Sequence, residues 1–401
     1  MTSARLAHEG GRRSAIAALL ALACWLIYLT TAGGSLGTGV AVAMYEEAKA
    51  IVDRGAFDVP STRMDEWRGP DGRYYTPFGL GQPLYDIPFL VAGRLIAGAT
   101  HVRLGDADVI PKAVVALGST VTASLCVAFT FLFAYRLSGD ARASLLSALA
   151  LGFGTLMWPY SKFGFNAALA ACGLSAGVYG LAEGWSTRRA KVLAGGGAGL
   201  GLALLTRHEL VLAAAVGLGW LAWQIRNDSR RGPLMLSASA GVIAAIGLAA
   251  FHNVVRFGTP FSSGYTPALS GAGILGLTVS PSGALLLYSP IAIAAVALVP
   301  RVRNGEPLAI LAALVTLTLW AFYASLDDWL GTRSYGPRYL VPLLPLLVAP
   351  LAVWWAVATP RIRRVLAALC VASILIQIPA VLVDFSRVGI EAGQPPQTAR
   401  L

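Results

Sequence analysis

The stretch GLGQPLYDIPFLVAGRLIAG, Gly79 to Gly98, decides how the chain is threaded. It is long and apolar enough to pass for a membrane span, yet it carries Asp86 and Arg94 and is interrupted by Pro83 and Pro88. A charged residue at mid-bilayer costs about 2.5 to 3.5 kcal/mol on insertion scales, which argues against exposing this stretch to lipid. Parity gives an independent reason. If Gly79 to Gly98 does not cross, the clusters Arg12/Arg13, Arg136/Arg142, Arg188/Arg189/Lys191, Arg226/Arg230/Arg231, Arg301/Arg303 and Arg361/Arg363/Arg364 all fall on the N-terminal side. The positive-inside bias then marks that side as the cytoplasm. If it crosses, every later cluster moves outside while Arg12 and Arg13 stay inside. The stretch is therefore read as an interfacial or re-entrant helix of the first outer loop.

Around it the chain is a series of apolar runs. With 56% hydrophobic and 13% charged residues, the composition is that of an all-α polytopic membrane protein. The expected spans are Ser14 to Thr31, Val109 to Ala134, Ala143 to Trp158, Gly164 to Glu183, Val192 to Thr206 and Leu210 to Ile225. Leu234 to Val255, Gly283 to Val299, Leu308 to Ser325, Leu340 to Ala358 and Val365 to Val383 complete a bundle of about eleven transmembrane helices. They form a single domain over residues 1–401. The run Ser14 to Thr31 follows arginines, is long enough to span and shows no small-residue cleavage pattern, so a retained anchor is expected. The net charge of +11 is scattered among short loops, which fits membrane topology and not a nucleic-acid partner. Cys24, Cys126, Cys172 and Cys370 lie inside apolar runs without paired spacing, so neither a disulfide framework nor a zinc site is indicated.

This threading puts the N-terminus in the cytoplasm and five polar segments on the outer face: Gly33 to Asp108, Pro159 to Phe163, the turn Arg207 to Glu209, Arg256 to Ser282, and Asp327 to Tyr339. The first is a long loop crowded with carboxylates, aromatics and arginines. Within it, Val40 to Arg54 has the spacing of an amphipathic helix stopped by Gly55. Glu47 flanks its apolar face while Glu46, Lys49 and Asp53 point the other way, which suits either an inward carboxylate or a solvated face with local pairing. The segment DEWRGPDGRYYTPFGLGQP carries Asp71, Tyr74 and Tyr75, suited to a turn with aromatic anchoring at headgroups or to substrate contact. Lys162 and Arg207 stand at outer span ends, where a cation either snorkels to lipid phosphate or holds a bound one. His252, Asn253 and Arg256 end another span, and the last outer loop reads DDWLGTRSYGPRYL. Its Arg333 and Arg338, with Trp329 and the tyrosines, offer anion pairing and ring stacking. Asp327 and Asp328 lack further ligand spacing, so no metal is expected.

In order along the chain, DGRYYTPFGLGQPL (Asp71 to Leu84), WPYSKF, HNVVRFGTPFSSGY (His252 to Tyr265), GLTVSPSGALLLYSP (Gly276 to Pro290) and WLGTRSYGPRYLVPLLP (Trp329 to Pro345) resemble a known group. They resemble the integral-membrane glycosyltransferases of the GT-C fold that use polyprenyl-phosphate sugars, in particular the protein O-mannosyltransferase and lipopolysaccharide-core galacturonosyltransferase-like branch. The resemblance implies a GT-C-like bundle with interfacial helices in its long first extracytoplasmic loop. It implies a polyprenyl-phosphate sugar donor and a glycan, lipid or protein acceptor, with transfer by inversion and no metal or nucleotide cofactor. A carboxylate of the first outer loop deprotonates the acceptor while cations hold the leaving phosphate.

Members usually carry that base as an Asp just after the first span. Here Thr38, Gly39 and Val40 occupy the place, and Glu46 and Glu47 follow about two helical turns later. The expected assignments are Glu47 and Glu46 as catalytic carboxylates and Lys162, Arg207, Arg256, Arg333 and Arg338 on the donor phosphate. Asp71, Tyr74, Tyr75, His252, Asn253, Asp327, Asp328 and Trp329 are expected on the acceptor or sugar. The missing Asp leaves a catalytically impaired lipid-phosphate-sugar-binding relative as an alternative, and a lipid-linked-sugar transporter or flippase is the other. The Ala/Arg/Gly-rich composition suits a bacterial cytoplasmic membrane.

Overall fold

The computed structural model describes residues 3–61, 67–100, 106–262, 268, 270–281, 283–329, 331 and 335–383. Among these the chain is helical, apart from an isolated bridge between Arg68 and Tyr74. The first long helix, α1 (Ser3–Thr30), leads into α2 (Gly39–Arg54). The Thr38 hydroxyl accepts from the Ala41 N–H at its start, and Gly55, at φ 62°, closes its end through bonds to the Ala50 and Ile51 carbonyls. Next come α3 (Gly81–Thr100), α4 (Val109–Ser138) and α5 (Ala141–Gly154), the last started by an Asp140 cap. They are followed by α6 (Asn166–Thr187), α7 (Ala190–Thr206), α8 (Val211–Gln224), α9 (Arg231–Phe257) and a short α10 (Ala272–Val279). The long helices α11 (Pro307–Ala324) and α12 (Pro360–Leu382) close the bundle.

Among the described residues seven stretches are long and apolar enough to cross a membrane, and α5 and α7 are shorter apolar helices. Three of the expected spans are not single helices: in Ala143 to Trp158 the helix ends at Gly154 and a separate short helix begins at Met157. The run Gly283 to Val299 breaks into Leu285–Tyr288, a 3-10 stretch Pro290–Ala297 and the start of Leu298–Arg303, because Pro290 has no N–H to continue the ladder. The run Leu340 to Ala358 is segmented in the same way at Pro342, Pro345 and Pro350.

The stretch that decided the threading folds as one helix with Pro88 inside it. Its two charges are treated differently. Asp86 is buried and accepts from the Gln82 amide at 2.8 Å. Arg94 forms a two-pronged pair with Asp53 of α2 at 2.6 and 2.9 Å, which fastens α3 to the polar side of the amphipathic helix. Lys49 of α2 pairs with Asp108, and Lys112 pairs with Asp106 at 2.9 Å, so the start of α4 is tied to the same layer.

Close helix contact sets the frame for everything at the end of α9. Where α6 meets α7, a Cβ on Gly180 would lie 2.5 Å from Gly196 Cα. Where α7 meets α9, a Cβ on Gly197 would lie 2.0 Å from the Ala238 carbonyl oxygen, and one on Gly201 would lie 2.4 Å from that of Gly241. Backbones at this separation admit only glycine, as in small-residue membrane helix contacts. Gly197→Ala is therefore expected to destabilise the protein by about 1 to 3 kcal/mol or more through overpacking. Gly195→Ala, with nothing within 4 Å of the added carbon, should leave thermal unfolding in detergent unchanged or slightly improved.

Candidate active site

Helix α2 buries Met44, Tyr45 and Ala48, and Glu47 lies among them with its side chain 0% exposed. A carboxyl group carried into an apolar contact costs several kcal/mol unless its oxygens are bonded. Both are. The Thr76 hydroxyl donates to Oε2 at 2.6 Å, and Oε1 lies 2.6 Å from Nε2 of His252, itself fully buried on α9. The Phe57 ring meets the imidazole edge-on at 4.7 Å, and Nδ1 of His252 has no hydrogen-bond partner.

Arg256, one turn beyond His252, holds this arrangement from beneath. Its guanidinium donates to the carbonyls of Thr76 and Phe78, the latter at 3.1 Å, and to Oδ1 of Asn253 at 2.8 Å. Asn253 in turn donates to the Pro260 carbonyl at 3.1 Å. The segment carrying Thr76 is thus fixed to the end of α9.

A second polar cluster stands beside the first. Arg207, at the end of α7, pairs with Glu209 at 2.7 Å and lies over the rings of Tyr323 and Tyr339. Those rings are stacked 5.8 Å apart, and the Tyr323 hydroxyl donates to Glu209 at 3.2 Å. Arg338 lies over Tyr339 and Phe165, with its Nε buried and without a hydrogen-bond partner among the described residues, while the Tyr339 hydroxyl donates to Asp328 at 3.3 Å. Burial opposes ionisation of both Arg207 and Glu209, but Glu209 with Tyr323 and Tyr339 raises the arginine, and Arg207 with a backbone hydrogen bond and His208 lowers the carboxyl. The two clusters touch through backbone. A Cβ on Gly79 would meet the Leu205 carbonyl at 2.4 Å, so the extended segment leading from Thr76 runs against the end of α7.

The remaining expected residues are placed as follows. Glu46 stands on the other side of α2, half-buried, with its carboxyl raised by burial. Of the five cations expected on one phosphate, Arg207 and Arg338 share the Tyr339 ring, whereas Arg256 is engaged by carbonyls beneath Glu47. Lys162 does not join them, because its ammonium bonds the Val381 and Val383 carbonyls at the end of α12. Arg333 lies outside the described residues. Asp71 accepts from the Tyr75 hydroxyl at 2.7 Å and from the Arg73 N–H, closing a turn, and Tyr74 sits under Arg68. Asp327 bonds the Ala268 carbonyl through its backbone N–H, and the Trp329 ring lies against Gly276 on α10.

Thr76, Glu209, Tyr323 and His208 were not singled out individually from the sequence, whereas Tyr339 was expected to stack beside Arg338 and does. The adjacency of three ionisable residues in the turn between α7 and α8 was the available signal for two of them. Burial, and then the charge of Arg256, hold the His208 imidazole down at about 4 against an ordinary 6.5, with Glu209, His252 and Glu47 as the other charged neighbours. The unfolded chain takes up this proton at higher pH than the folded one. The associated stability is thus full above pH 6.5 and is lost as pH falls through about 4. Melting temperatures of the wild type and His208→Gln in detergent should converge as pH falls across that window.

No protein-family model matches the sequence, and no curated protein matches it. The structure is similar to ArnT from Cupriavidus metallidurans bound to undecaprenyl phosphate, with a TM-score of 0.59 and 14% identity over 94% of this chain and 78% of that one. Against the apo state of the same ArnT the TM-score is 0.57 at 17% identity, covering 90% of this chain and 62% of that chain. Against the oligosaccharyltransferase AglB from Archaeoglobus fulgidus, in complex with an inhibitory peptide and a dolichol-phosphate, it is 0.54 at 11% identity, over 95% and 56%. The chain spans only a little over half the length of the AglB chain. Nearly all of its own length enters each likeness, and the chain has the GT-C fold.

Proposed function

We propose that the protein is a membrane glycosyltransferase that moves a sugar from a polyprenyl-phosphate donor to an extracytoplasmic acceptor with inversion. The observation that carries this reading is the buried Glu47–His252 pair standing beside the Arg207/Arg338 aromatic cluster at one end of a GT-C bundle. One cluster accepts a proton and the other faces an anion. The lipid phosphates bound by ArnT and AglB support a donor of the same class. The arginine distribution supports an extracytoplasmic site in a bacterial cytoplasmic membrane.

In the proposed step the acceptor hydroxyl gives its proton to the Glu47–His252 pair as its oxygen attacks the anomeric carbon. The bond from that carbon to the phosphate oxygen breaks, and the lipid phosphate leaves with the electron pair. Arg207 and Arg338 stabilise the charge that grows on it. Thr76, Asn253 and Arg256 position Glu47 and act through it. Asp71, Tyr74, Tyr75, Asp327, Asp328 and Trp329 border the acceptor side in this scheme.

The complete enclosure of Glu47 favours one second reading, a relative that binds the lipid-phosphate sugar without transferring it. A single assay separates them. Purified protein in nanodiscs is given a panel of undecaprenyl-phosphate-linked sugars with glycolipid, polysaccharide and peptide acceptors, and release of undecaprenyl phosphate is measured. Glu47→Gln, which keeps the shape and hydrogen-bonding capacity, should lower release by about 100-fold or more. Glu46→Gln should stay near wild type. Equal activity in the wild type and Glu47→Gln overturns the assignment, and binding without release in the wild type supports the second reading.

A further inference from the structure

We infer that His208 is the contact for a hydroxyl group of the donor's sugar ring. This rests on the glycosyl-transfer reading and adds to it a residue that determines which lipid is recognised. His208 occupies the turn His208–Leu210 between α7 and α8, immediately after Arg207 and immediately before Glu209. Those two neighbours satisfy each other in an ion pair, and Tyr323 takes the same Glu209 oxygen. His208 has no such partner. Its Nε2 is buried and makes no hydrogen bond among the described residues.

A buried nitrogen left unbonded forgoes the hydrogen bond it had in water, so a ring held in this position is stabilised by whatever ligand group completes it. Its location specifies the ligand. The turn that carries it adjoins Arg207 and the Tyr339 ring shared with Arg338, where the phosphate is proposed to sit. The same end of α7 is packed by the segment Thr76 to Gly79, which runs against Leu205 and Thr206 and whose Thr76 hydroxyl bonds Glu47. The charges that act on His208 come from both: Arg256, Glu209, His252 and Glu47.

In an inverting transfer the group between base and phosphate is the sugar. A neutral imidazole offers one donor and one acceptor, and a sugar hydroxyl offers the same pair, so the two can bond in either sense. Arg207 and Glu209 are already committed to each other, which leaves His208 as the group in this turn with hydrogen-bonding capacity to give.

The test compares two lipids on the intact protein in nanodiscs, undecaprenyl phosphate and an undecaprenyl-phosphate-linked hexose, using wild type, His208→Leu and His208→Gln. His208→Leu should weaken binding of the sugar-bearing lipid by about tenfold, the contribution of one buried hydrogen bond, and leave the sugarless lipid unchanged. His208→Gln, which restores a donor and an acceptor, should recover part of that loss. An equal loss for both lipids in either variant, or no loss for either, overturns the assignment of His208 while leaving the glycosyl-transfer reading in place. A wild type that binds neither lipid overturns both.

Discussion

The structure turns on a carboxyl group inserted where an amphipathic helix should be apolar. Glu47 lies on the buried side of α2, and that burial is tolerable only because Thr76 and His252 occupy its two oxygens. The three residues belong to a loop helix, an irregular strand and the end of a long apolar helix. Satisfying one side chain therefore requires three separate parts of the chain to converge. Removing one partner would leave a polar group stranded in a dry contact, a penalty of about 3 to 5 kcal/mol for buried pairs.

That convergence depends on how closely the long helices approach. The glycine-lined contacts of α7 bring α9 against it with no side chain between, and α9 delivers His252 and Arg256 to the Glu47 centre. Helix α7 itself ends at Arg207, so the contact that places the proton acceptor also places the cation cluster. On the other side, the Asp53–Arg94 and Lys49–Asp108 pairs anchor α2 in the polar layer above the bundle. The site lies between a tightly packed apolar frame and a polar cover.

Much of the fold was legible in apolar run length and in the sign of charged loops. The inward lean of Glu47 was legible too, because a period of 3.6 residues sorts Glu46 from Glu47. Its partner was not. His252 is 205 residues away in sequence, and no local pattern announces such a pair. Lys162 and Arg256 illustrate a different limit: a cation at a span end reads the same whether it faces a ligand or backbone carbonyls, and both turned to carbonyls. The segmented run after Arg338 was signalled by its prolines, but hydropathy weighs a proline no differently from any other weakly apolar residue. Tyr323 was hidden because an aromatic near a membrane interface ordinarily anchors to headgroups, whereas Tyr339 was legible from its place beside Arg338.

Arg256 grips Thr76 and Phe78 by their main-chain oxygens and ignores their side chains. It therefore measures where the chain passes and is indifferent to what the chain displays. The residues of this strand can change without loosening the grip so long as their number does not. Insertion of a single residue between Asp71 and Thr76 would move the Thr76 hydroxyl out from under Glu47 while the arginine still found two carbonyls to hold. Apart from Thr76, the segment behaves as a measured length of backbone, tolerant of substitution and intolerant of insertion.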